Sequence, residues 1–297
     1  MLDFIIIGGG TAGLSSAVYA CRANKSALVI ERESFGGQIV DAPVVENYPG
    51  IVNISGAQFA SDLFDQAEKA GASFKSETVM RIVPDGMGTT VVTDIGRYTA
   101  KAVIIAAGCE HRRLNVTNED RLIGAGVSYC ALCDGAFFKD RTVAVVGGGN
   151  AAFTDALYLA GIAKLVYIIH RRDDFRAEQT LVERARALNT VRIITNATVS
   201  ELVGEEELAA IRINVNGAPQ ELAVDGLFVA VGRQPDNAVF APVVLTDGGY
   251  IKTDEQCRTN IKGVYAVGDC REKTVRQLTT AAADGAIAVS TALRELF

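Results

Sequence analysis

The sequence has few of the residues that build metal sites. Its 297 residues include two histidines and six cysteines, and only Cys130 and Cys133 form a CxxC pair. A closed zinc site needs four ligands, which usually come from a second CxxC or from paired histidines. We therefore predict no metal site. Half of a zinc site and two inert buried thiols remain the alternatives to a redox-active pair, which is the interpretation we favour.

Three further absences narrow the function. The net charge is −6, so the chain lacks the basic footprint of a nucleic-acid-binding protein. No apolar run approaches the ~20 residues of a membrane span. Residues 1–4 carry no basic side chain, so we expect no signal peptide and a cytoplasmic protein. In the cytoplasm a CxxC pair is more often catalytic than a structural cross-link.

Glycine is abundant and proline is scarce, with 29 and 6 residues respectively. This composition suits an α/β fold in which tight turns join strands to helices. The hydrophobic content of 49% is enough for sizeable cores. Because a single core rarely grows beyond about 250–300 residues, we expect two domains.

The first nucleotide-binding signal lies near the N-terminus. Residues 4–7 are wholly apolar, as expected of a buried parallel strand, and they lead into GxGxxG at residues 8–13. Such glycines allow a tight turn and the close approach of a pyrophosphate, and the following helix offers unpaired N–H groups. A second strand ends at Glu31, an acid placed to contact a ribose hydroxyl. The candidate contacts are Gly8, Gly10, Thr11, Ala12, Gly13, Glu31 and Arg32.

Several later segments are candidates for contacts with a flat heterocyclic ring. Residues 36–38 and 46–50 are rich in glycine and amide side chains, although both also fit ordinary loops. The strand predicted over residues 102–108 ends in small residues that leave room for a cofactor, and Gly268-Asp269 ends another strand. The candidate contacts are Gly37, Gln38, Asn47, Val79, Ala107, Gly108, Gly268, Asp269, Arg276 and Gln277.

The segments between these motifs are predicted from their periodicity. We expect a helix over residues 57–71 and a small antiparallel insertion over residues 72–98. Residues 109–128 are interpreted as a connection between domains, and residues 191–224 as strands that pair as a meander or a hairpin. The predicted helix over residues 279–293 is rich in small side chains, which suits close approach to a cofactor or to a partner subunit.

The strand–turn–helix pattern is repeated in the second half of the chain, where an apolar strand leads into GxGxxA at residues 147–152. In each copy 21 positions separate the last of three glycines from the end of the second strand: 10 to 31, and 149 to 170. The second copy has a basic cluster where the first has Glu31. Arginines there can pair with a ribose 2′-phosphate, which favours NADPH over NADH. The alternative is a solvated basic start to a helix. The candidate contacts are Gly147, Gly149, Asn150, Ala151, Ala152, His170, Arg171, Arg172 and Arg176.

In this order, the motifs resemble those of the low-molecular-weight thioredoxin reductases over essentially the whole chain. The segments that carry the resemblance are 8–13, 36–38, 47–50, 130–135, 170–176, 268–269 and 276–277. The resemblance implies an α/β fold with two Rossmann-like, three-layer nucleotide-binding domains, the second inserted in the first. It places FAD in residues 1–110 and 238–297, and NADPH in residues 111–237. It also implies a homodimer, with thioredoxin or a thioredoxin-like protein as electron acceptor.

The resemblance further implies a path for the electrons, from NADPH through FAD to the Cys130–Cys133 disulfide and then to the partner. In this family the second cysteine lies nearest the flavin, so Cys130 would attack the partner disulfide. No histidine follows His170, so we assign Asp134 as the general acid, with a pKa raised by partial burial. The alternative is that Asp134 caps the next turn. Rotation of the inserted domain would let both dithiol and nicotinamide reach the flavin.

Two positions depart from the family pattern. Asn150-Ala151 replaces the usual Asp-Ser after the second glycine turn, which removes a charge near the nicotinamide. Leu132 lies between the cysteines where the family usually has a hydroxyl or a small side chain. We expect these changes to affect NADPH binding and the choice of partner or the disulfide potential.

Other functions remain possible on the same scaffold. They are a reductase of another disulfide acceptor, a flavin-dependent thiol oxidase, and a non-enzymatic flavin or nucleotide sensor. The oxidase has less need of an NADPH site, and the arginine cluster argues against it. Rapid reduction of the flavin by NADPH followed by thiol release would exclude the sensor.

Overall fold

The computed structural model describes all residues from 1 to 297 and divides into two compact units. Unit 1 consists of Met1–Glu110 and Gln234–Phe297, and unit 2 is His111–Arg233. None of the helices combines the length and the apolar character needed to cross a bilayer.

The structure contains 17 strands, seven α-helices and four short 3₁₀ turns. The strands are β1 (Leu2–Ile7), β2 (Ala27–Glu31), β3 (Ser73–Ser76), β4 (Val79–Pro84), β5 (Thr89–Thr93), β6 (Arg97–Ile105), β7 (Glu110–His111), β8 (Val127–Ser128), β9 (Thr142–Val146), β10 (Leu165–Ile169), β11 (Val191–Ile194), β12 (Ala197–Val203), β13 (Ala210–Val215), β14 (Ala218–Ala223), β15 (Gly226–Val229), β16 (Arg233–Gln234) and β17 (Val264–Ala266). The α-helices are α1 (Thr11–Arg22), α2 (Gly56–Lys69), α3 (Glu119–Leu122), α4 (Ala131–Asp134), α5 (Asn150–Leu159), α6 (Gln179–Arg186) and α7 (Leu278–Leu296). Four 3₁₀ turns cover Gly37–Asp41, Gly135–Phe138, Ala238–Phe240 and Gly268–Cys270.

Unit 1 is built on a seven-stranded sheet in the order β3-β2-β1-β6-β5-β4, with β17 also paired to β6. Strand β1 is central and parallel to both β2 and β6, which explains its unbroken apolar sequence. Helices α1 and α7 pack closely against each other. One core cluster joins both helices to one face of the sheet, and a second cluster covers the other face.

Strand β3 corrects the prediction of an antiparallel insertion over residues 72–98. It pairs in parallel with β2, and only β4, β5 and β6 form the antiparallel part. The reason is that α2 and the turn at Gly71 return the chain alongside β2. Phe74 then packs against Phe35 and Phe64, with ring centroids 5.3 and 4.4 Å away.

Unit 2 is built on a five-stranded parallel sheet in the order β11-β10-β9-β15-β8, accompanied by an antiparallel meander of β12, β13 and β14. The predicted meander over residues 191–224 therefore begins later than expected, because β11 pairs in parallel with β10. Residues 109–128 also do more than connect domains. They supply α3 and β8, and Leu122 and Val127 are buried in the unit 2 core.

The predicted α/β class with two Rossmann-like units is confirmed, since each unit has parallel strands and a glycine turn that leads from strand to helix. The chain passes between the units twice. At these passages β7 and β16 pair with each other as a two-stranded sheet.

Candidate active site

The glycine turn of unit 1 lies between β1 and α1 and has the shape needed to receive phosphate. Gly8 has a φ of +106°, and a Cβ there would lie 2.3 Å from the carbonyl oxygen of Ala106. A Cβ on Gly13 would lie 1.9 Å from the carbonyl of Gly8, so the helix can approach the turn only without a side chain. Gly10 is the N-cap of α1, and no side chain occupies the cap. The first N–H groups of α1 are therefore available to an anion.

Two other predicted segments of unit 1 meet this turn. Gly10 forms a bridge with Gly36, and a Cβ on Gly37 would lie 3.2 Å from the Cα of Gly10. A Cβ on Gly268 would lie 2.8 Å from the Cβ of Ala12. The structure thus brings together segments that are distant in the sequence, and their small residues leave an open cradle around the start of α1.

Polar side chains join the remaining unit 1 candidates. The amide of Gln38 donates to the carbonyl of Cys109 at 2.8 Å, and the amide of Asn47 donates to the side chain of Gln277 at 3.2 Å. The guanidinium of Arg276 lies 4.4 Å from the ring centre of Tyr250. Its buried Nε has no hydrogen-bond partner. A buried donor without a partner is costly, so this atom fits contact with a bound polar group.

Glu31 and Arg32, which end β2, already have partners. Glu31 Oε2 accepts from the backbone N–H of Gly9 at 2.7 Å, and its Oε1 accepts from Glu33 at 2.9 Å. Arg32 pairs with Glu110 at 2.6 Å and also with Glu33 and Asp236.

The other unit 1 candidates lie at strand ends. Ala107 and Gly108 follow β6, and Asp269 is in the 3₁₀ turn after β17. A Cβ on Gly108 would meet nothing within 4 Å. Val79 begins β4 and packs against the second core cluster of unit 1, so its place in the fold is explained by packing alone.

The glycine turn of unit 2 repeats that of unit 1. A Cβ on Gly147 would lie 2.4 Å from the carbonyl oxygen of Ala230, the equivalent of the contact between Gly8 and Ala106. Gly149 is the N-cap of α5, again without a side-chain cap, and a Cβ there would meet nothing within 4 Å. Ala152 is fully buried beneath the turn, whereas Ala151 is exposed. The start of α5 therefore offers the same kind of anion site.

The basic cluster after β10 divides into one buried residue and three exposed ones. His170 is buried, its ring centre lies 5.1 Å from that of Phe175, and its Nε2 lies 3.1 Å from the carbonyl of Asp174. The side chains of Arg171, Arg172 and Arg176 are exposed and make no hydrogen bond or ion pair. His170 thus shapes the loop, and the three guanidinium groups are available for a phosphate.

Cys130 and Cys133 are joined in a disulfide, with their Cα atoms 5.3 Å apart. Strand β8 leads directly into Cys130, which is the N-cap of the short helix α4, and Cys130 Sγ accepts from the N–H of Cys133. Because the two sulfurs are bonded to each other, they are not zinc ligands in this structure. Cys133 is exposed and Cys130 is partly buried.

Asp134 is linked to the backbone of Cys130 by a serine that the sequence analysis missed. The hydroxyl of Ser128 donates to Asp134 Oδ2 at 2.5 Å and accepts from the N–H of Cys130 at 3.0 Å. Burial raises the pKa of Asp134, and the bond from Ser128 only partly offsets this. The alternative role of Asp134 as a cap is not seen, because its side chain makes no cap bond. The signal in the sequence was a polar residue at the end of a buried strand.

The other four cysteines are free thiols, of which Cys109, Cys257 and Cys270 are buried. Burial raises the pKa of both Cys257 and Cys270 to about 12. They therefore remain protonated and unreactive at neutral pH. The only disulfide pair in the chain is the CxxC pair.

Residues 2–285 match the family of pyridine nucleotide-disulphide oxidoreductases. The chain belongs to this family. A thioredoxin reductase of Listeria monocytogenes is 43% identical over 290 residues, covering 96% of this chain and 91% of that protein. A thioredoxin reductase of Bacillus subtilis is 41% identical over 293 residues, with 96% and 92% covered. The crystal structure of thioredoxin reductase from Streptococcus pyogenes superposes with a TM-score of 0.96 at 40% identity, covering 100% of this chain and 98% of that one.

Membership of the pyridine nucleotide-disulphide oxidoreductases makes the protein an enzyme that carries out oxidation and reduction. The family name matches the two chemical features of the fold, which are paired glycine turns and a disulfide. The structure brings Gly36, Gly37 and Gly268 to the glycine turn of unit 1 and His170 to that of unit 2, and it places the cysteine pair at the start of α4.

Proposed function

We propose that this oxidoreductase is a thioredoxin-disulfide reductase that uses FAD and NADPH. The observation that carries the proposal is the Cys130–Cys133 disulfide at the start of α4. The backbone N–H of Cys130 donates to Ser128, which donates to the carboxyl group of Asp134, whose pKa is raised. The chain that carries this disulfide is 40–43% identical in sequence to the three thioredoxin reductases described above, over 96–100% of its length.

We assign FAD to unit 1 and NADPH to unit 2. In unit 1 the uncapped start of α1, the cradle around Gly37 and Gly268, and the unpartnered Nε of Arg276 fit a dinucleotide with a ring system. In unit 2 the uncapped start of α5 fits a pyrophosphate. The exposed arginines that follow β10 fit a 2′-phosphate, which distinguishes NADPH from NADH. When bound, the two cofactors supply the electron pair that reduces the Cys130–Cys133 disulfide.

The dithiol then passes the electron pair to a partner disulfide. The thiolate of Cys130 attacks one partner sulfur, which forms a mixed disulfide and releases the other partner sulfur as a thiolate. The thiolate of Cys133 next attacks the sulfur of Cys130. The internal disulfide forms again, and the second partner thiolate leaves. The partner gains two electrons and two protons, and the enzyme returns to its oxidised form.

Asp134 is the general acid in this exchange. Its raised pKa keeps the carboxyl protonated at a higher pH than an ordinary aspartate, so it can protonate a departing thiolate. The hydroxyl of Ser128 donates a hydrogen bond to the carboxyl group of Asp134, six residues later in the chain, and accepts one from the N–H of Cys130. The acid and the first cysteine are thereby kept in one hydrogen-bonded group.

A protein is the acceptor that suits the surroundings of the dithiol. Leu132 and Phe137 are both exposed, by 53% and 45%, on either side of Cys133 in the sequence. Exposed large apolar side chains beside a reactive group are typical of a surface that is covered by a partner. Thioredoxin or a thioredoxin-like protein is the acceptor we propose, and a homodimer in the cytoplasm is part of the same proposal.

Stopped-flow reduction followed by turnover with purified thioredoxin tests the proposal. We expect rapid bleaching of a bound flavin by NADPH, slower bleaching by NADH, and reduction of thioredoxin at a rate that small disulfides do not reach. A colourless protein would contradict the cofactor assignment. Faster reduction of a small disulfide than of thioredoxin would favour the other-acceptor reductase, and sedimentation would measure the dimer.

A further inference from the structure

The loop that carries the arginine cluster is tied back to the glycine turn of unit 2 by an unusual pair of side-chain bonds. Asn150 Nδ2 donates to Glu178 Oε1 at 2.9 Å, and Asn150 Oδ1 accepts from the backbone N–H of Glu178 at 2.8 Å. Asn150 is the first residue of α5, and Glu178 is the N-cap of α6. We call this reciprocal pair the 150–178 clasp.

The clasp closes a loop whose other anchors are backbone atoms or buried groups. The carbonyl of Gly148 accepts from the N–H groups of Arg176 and Ala177, at 2.8 and 3.2 Å. The ring of His170 fills the space beside Gly148, where a Cβ would lie 2.2 Å from it. Every one of these contacts joins the loop to the turn that receives the pyrophosphate.

Asn150 and Glu178 are hydrogen-bonded to each other, so we do not assign either side chain as a ligand of the 2′-phosphate. The side chains of the exposed arginines make no hydrogen bond or ion pair, so their positions depend on the loop backbone. That backbone is held at Arg176 by the carbonyl of Gly148 and at Glu178 by Asn150. The position of Arg176, two residues before Glu178, therefore depends on how the loop end is held. A loop end held in place loses less conformational entropy when a phosphate binds.

We propose that the 150–178 clasp positions the arginine loop and so sets the preference for a 2′-phosphorylated nucleotide. This inference rests on the proposed function, because it takes the arginine cluster as the 2′-phosphate site. Asn150 is then a positioning residue, and its amide is needed because only an amide can donate to the carboxylate and accept from the N–H. An aspartate at position 150 would keep the second bond and repel Glu178.

Two substitutions at position 178 separate positioning from charge. Glu178→Gln and Glu178→Ala both remove a negative charge near the arginines, which by itself strengthens phosphate binding. Only Glu178→Gln keeps an acceptor for Asn150. Asn150→Ala removes both bonds of the clasp. Gln179→Ala is the matched control, since Gln179 is adjacent and exposed and its side chain bonds only within α6, to Glu183.

The test is calorimetric binding of 2′,5′-ADP and of 5′-AMP to the oxidised holoenzyme, with thermal unfolding of each variant as a check on folding. We expect wild type to bind 2′,5′-ADP more tightly than 5′-AMP. Asn150→Ala and Glu178→Ala should weaken 2′,5′-ADP by about 5- to 10-fold, the range of one or two hydrogen bonds, with little change for 5′-AMP. Glu178→Gln should bind 2′,5′-ADP at least as tightly as wild type, because it keeps the acceptor and loses the negative charge. Gln179→Ala should remain close to wild type.

Each other outcome contradicts a stated part of the inference. Equal affinities of Glu178→Ala and Glu178→Gln for 2′,5′-ADP would overturn the clasp, as would equal losses for both ligands. In either case a wild type that prefers 2′,5′-ADP would leave the NADPH assignment intact. A wild type that binds both ligands equally would overturn the assignment together with the clasp.

Discussion

The two Rossmann-like units have the same glycine turn but place different side chains beside it at the end of the second strand. In unit 1, Glu31 accepts a hydrogen bond from the N–H of Gly9, the middle glycine of the turn. In unit 2, the ring of His170 packs against Gly148, the corresponding glycine. Both middle glycines exclude a Cβ, by contact with Phe35 at 2.6 Å in one and with His170 at 2.2 Å in the other. The two units thus share the glycine turn. They differ in the residue beside its middle glycine, which is an acid, Glu31, in unit 1 and a histidine, His170, in unit 2.

Asp284 in unit 1 is buried and Asp155 in unit 2 is partly buried, and the pKa values of the two acids shift in opposite directions. In unit 1, burial alone would raise the pKa of Asp284, but bonds from Arg271 and Lys273 hold it below the usual value. In unit 2, burial raises the pKa of Asp155 to about 6, and the charge of Arg233 offsets only part of this. Unit 1 stabilises its buried acid as an anion. In unit 2 burial shifts the pKa of both Asp155 and Asp134 upward, toward the neutral form.

The sharpest difference is that only unit 2 carries a disulfide, and removing it should have the largest effect. We expect Cys133→Ser or Cys130→Ser to reduce thioredoxin turnover by more than about 1,000-fold, because one sulfur cannot complete the exchange. Flavin reduction by NADPH should continue in both. Cys21→Ser, a partly exposed thiol in unit 1, is the control and should behave as wild type.

The same variants test the roles of the two sulfurs. Cys133→Ser should trap a mixed disulfide between Cys130 and thioredoxin, which is visible by non-reducing gel and mass spectrometry. Trapping by Cys130→Ser instead would reverse the proposed roles, in line with the greater exposure of Cys133.

Asp134→Asn should reduce thioredoxin turnover by about 100-fold, the lower end of what a general acid contributes. The wild-type rate should fall as the pH rises through the raised pKa of Asp134, because only the protonated carboxyl donates. The variant should show no such fall. Exposed Asp140, substituted to Asn, is the control, and an unchanged pH profile in Asp134→Asn would remove Asp134 from the mechanism.

Replacing Arg171 and Arg172 together by Gln should remove two positive charges from the loop after β10, where unit 2 differs most from unit 1. We expect KM for NADPH to rise by about 10- to 100-fold, as for the loss of one or two bonds to a charged group, with NADH unaffected. Steady-state kinetics with both nucleotides measure this. The exposed Arg192 on β11 provides the control substitution, and equal losses for the two nucleotides would argue against a 2′-phosphate site.

Asp155→Asn should have the smallest effect, and on stability. The pKa of Asp155 rises from 3.8 to about 6 on folding. The folded state therefore loses stability as pH rises between these values, by up to about 3 kcal/mol for a shift of this size. Allowing for partial exposure, we expect the variant to be more stable than wild type by about 1–2 kcal/mol above pH 7. Urea unfolding at pH 7.5 and pH 4 would show this, and an equal difference at both values would contradict it.

The sequence predicts those parts of the fold that depend only on neighbouring residues in the chain. The two glycine turns and their flanking strands are examples, because periodicity and glycine spacing are local properties. Strands β3 and β11 were assigned to the wrong pairing, since four-residue strands have the same alternation in a parallel or antiparallel sheet. Pairing depends on where α2 and α6 return the chain.

The candidate site was predictable to the same extent. Cysteines three apart and a neighbouring acid can be found by inspection, but the bond from Ser128 to Asp134 depends on how β8 enters α4. The clasp joins residues 28 positions apart, and no local pattern indicates it. The bonds from Gly9 to Glu31 and from Arg32 to Glu110 were missed for the same reason, because these partners lie on other segments of unit 1.

The pairing of β7 with β16 places the first and last residues of unit 2 side by side. A segment whose ends adjoin can be cut out and closed without stretching its backbone, which is the situation in which domain insertion is tolerated. Residues 111–233 are therefore suited to expression as a separate module. The same geometry makes this segment an exchangeable cassette, in which a different nucleotide specificity can be grafted between two fixed attachment points.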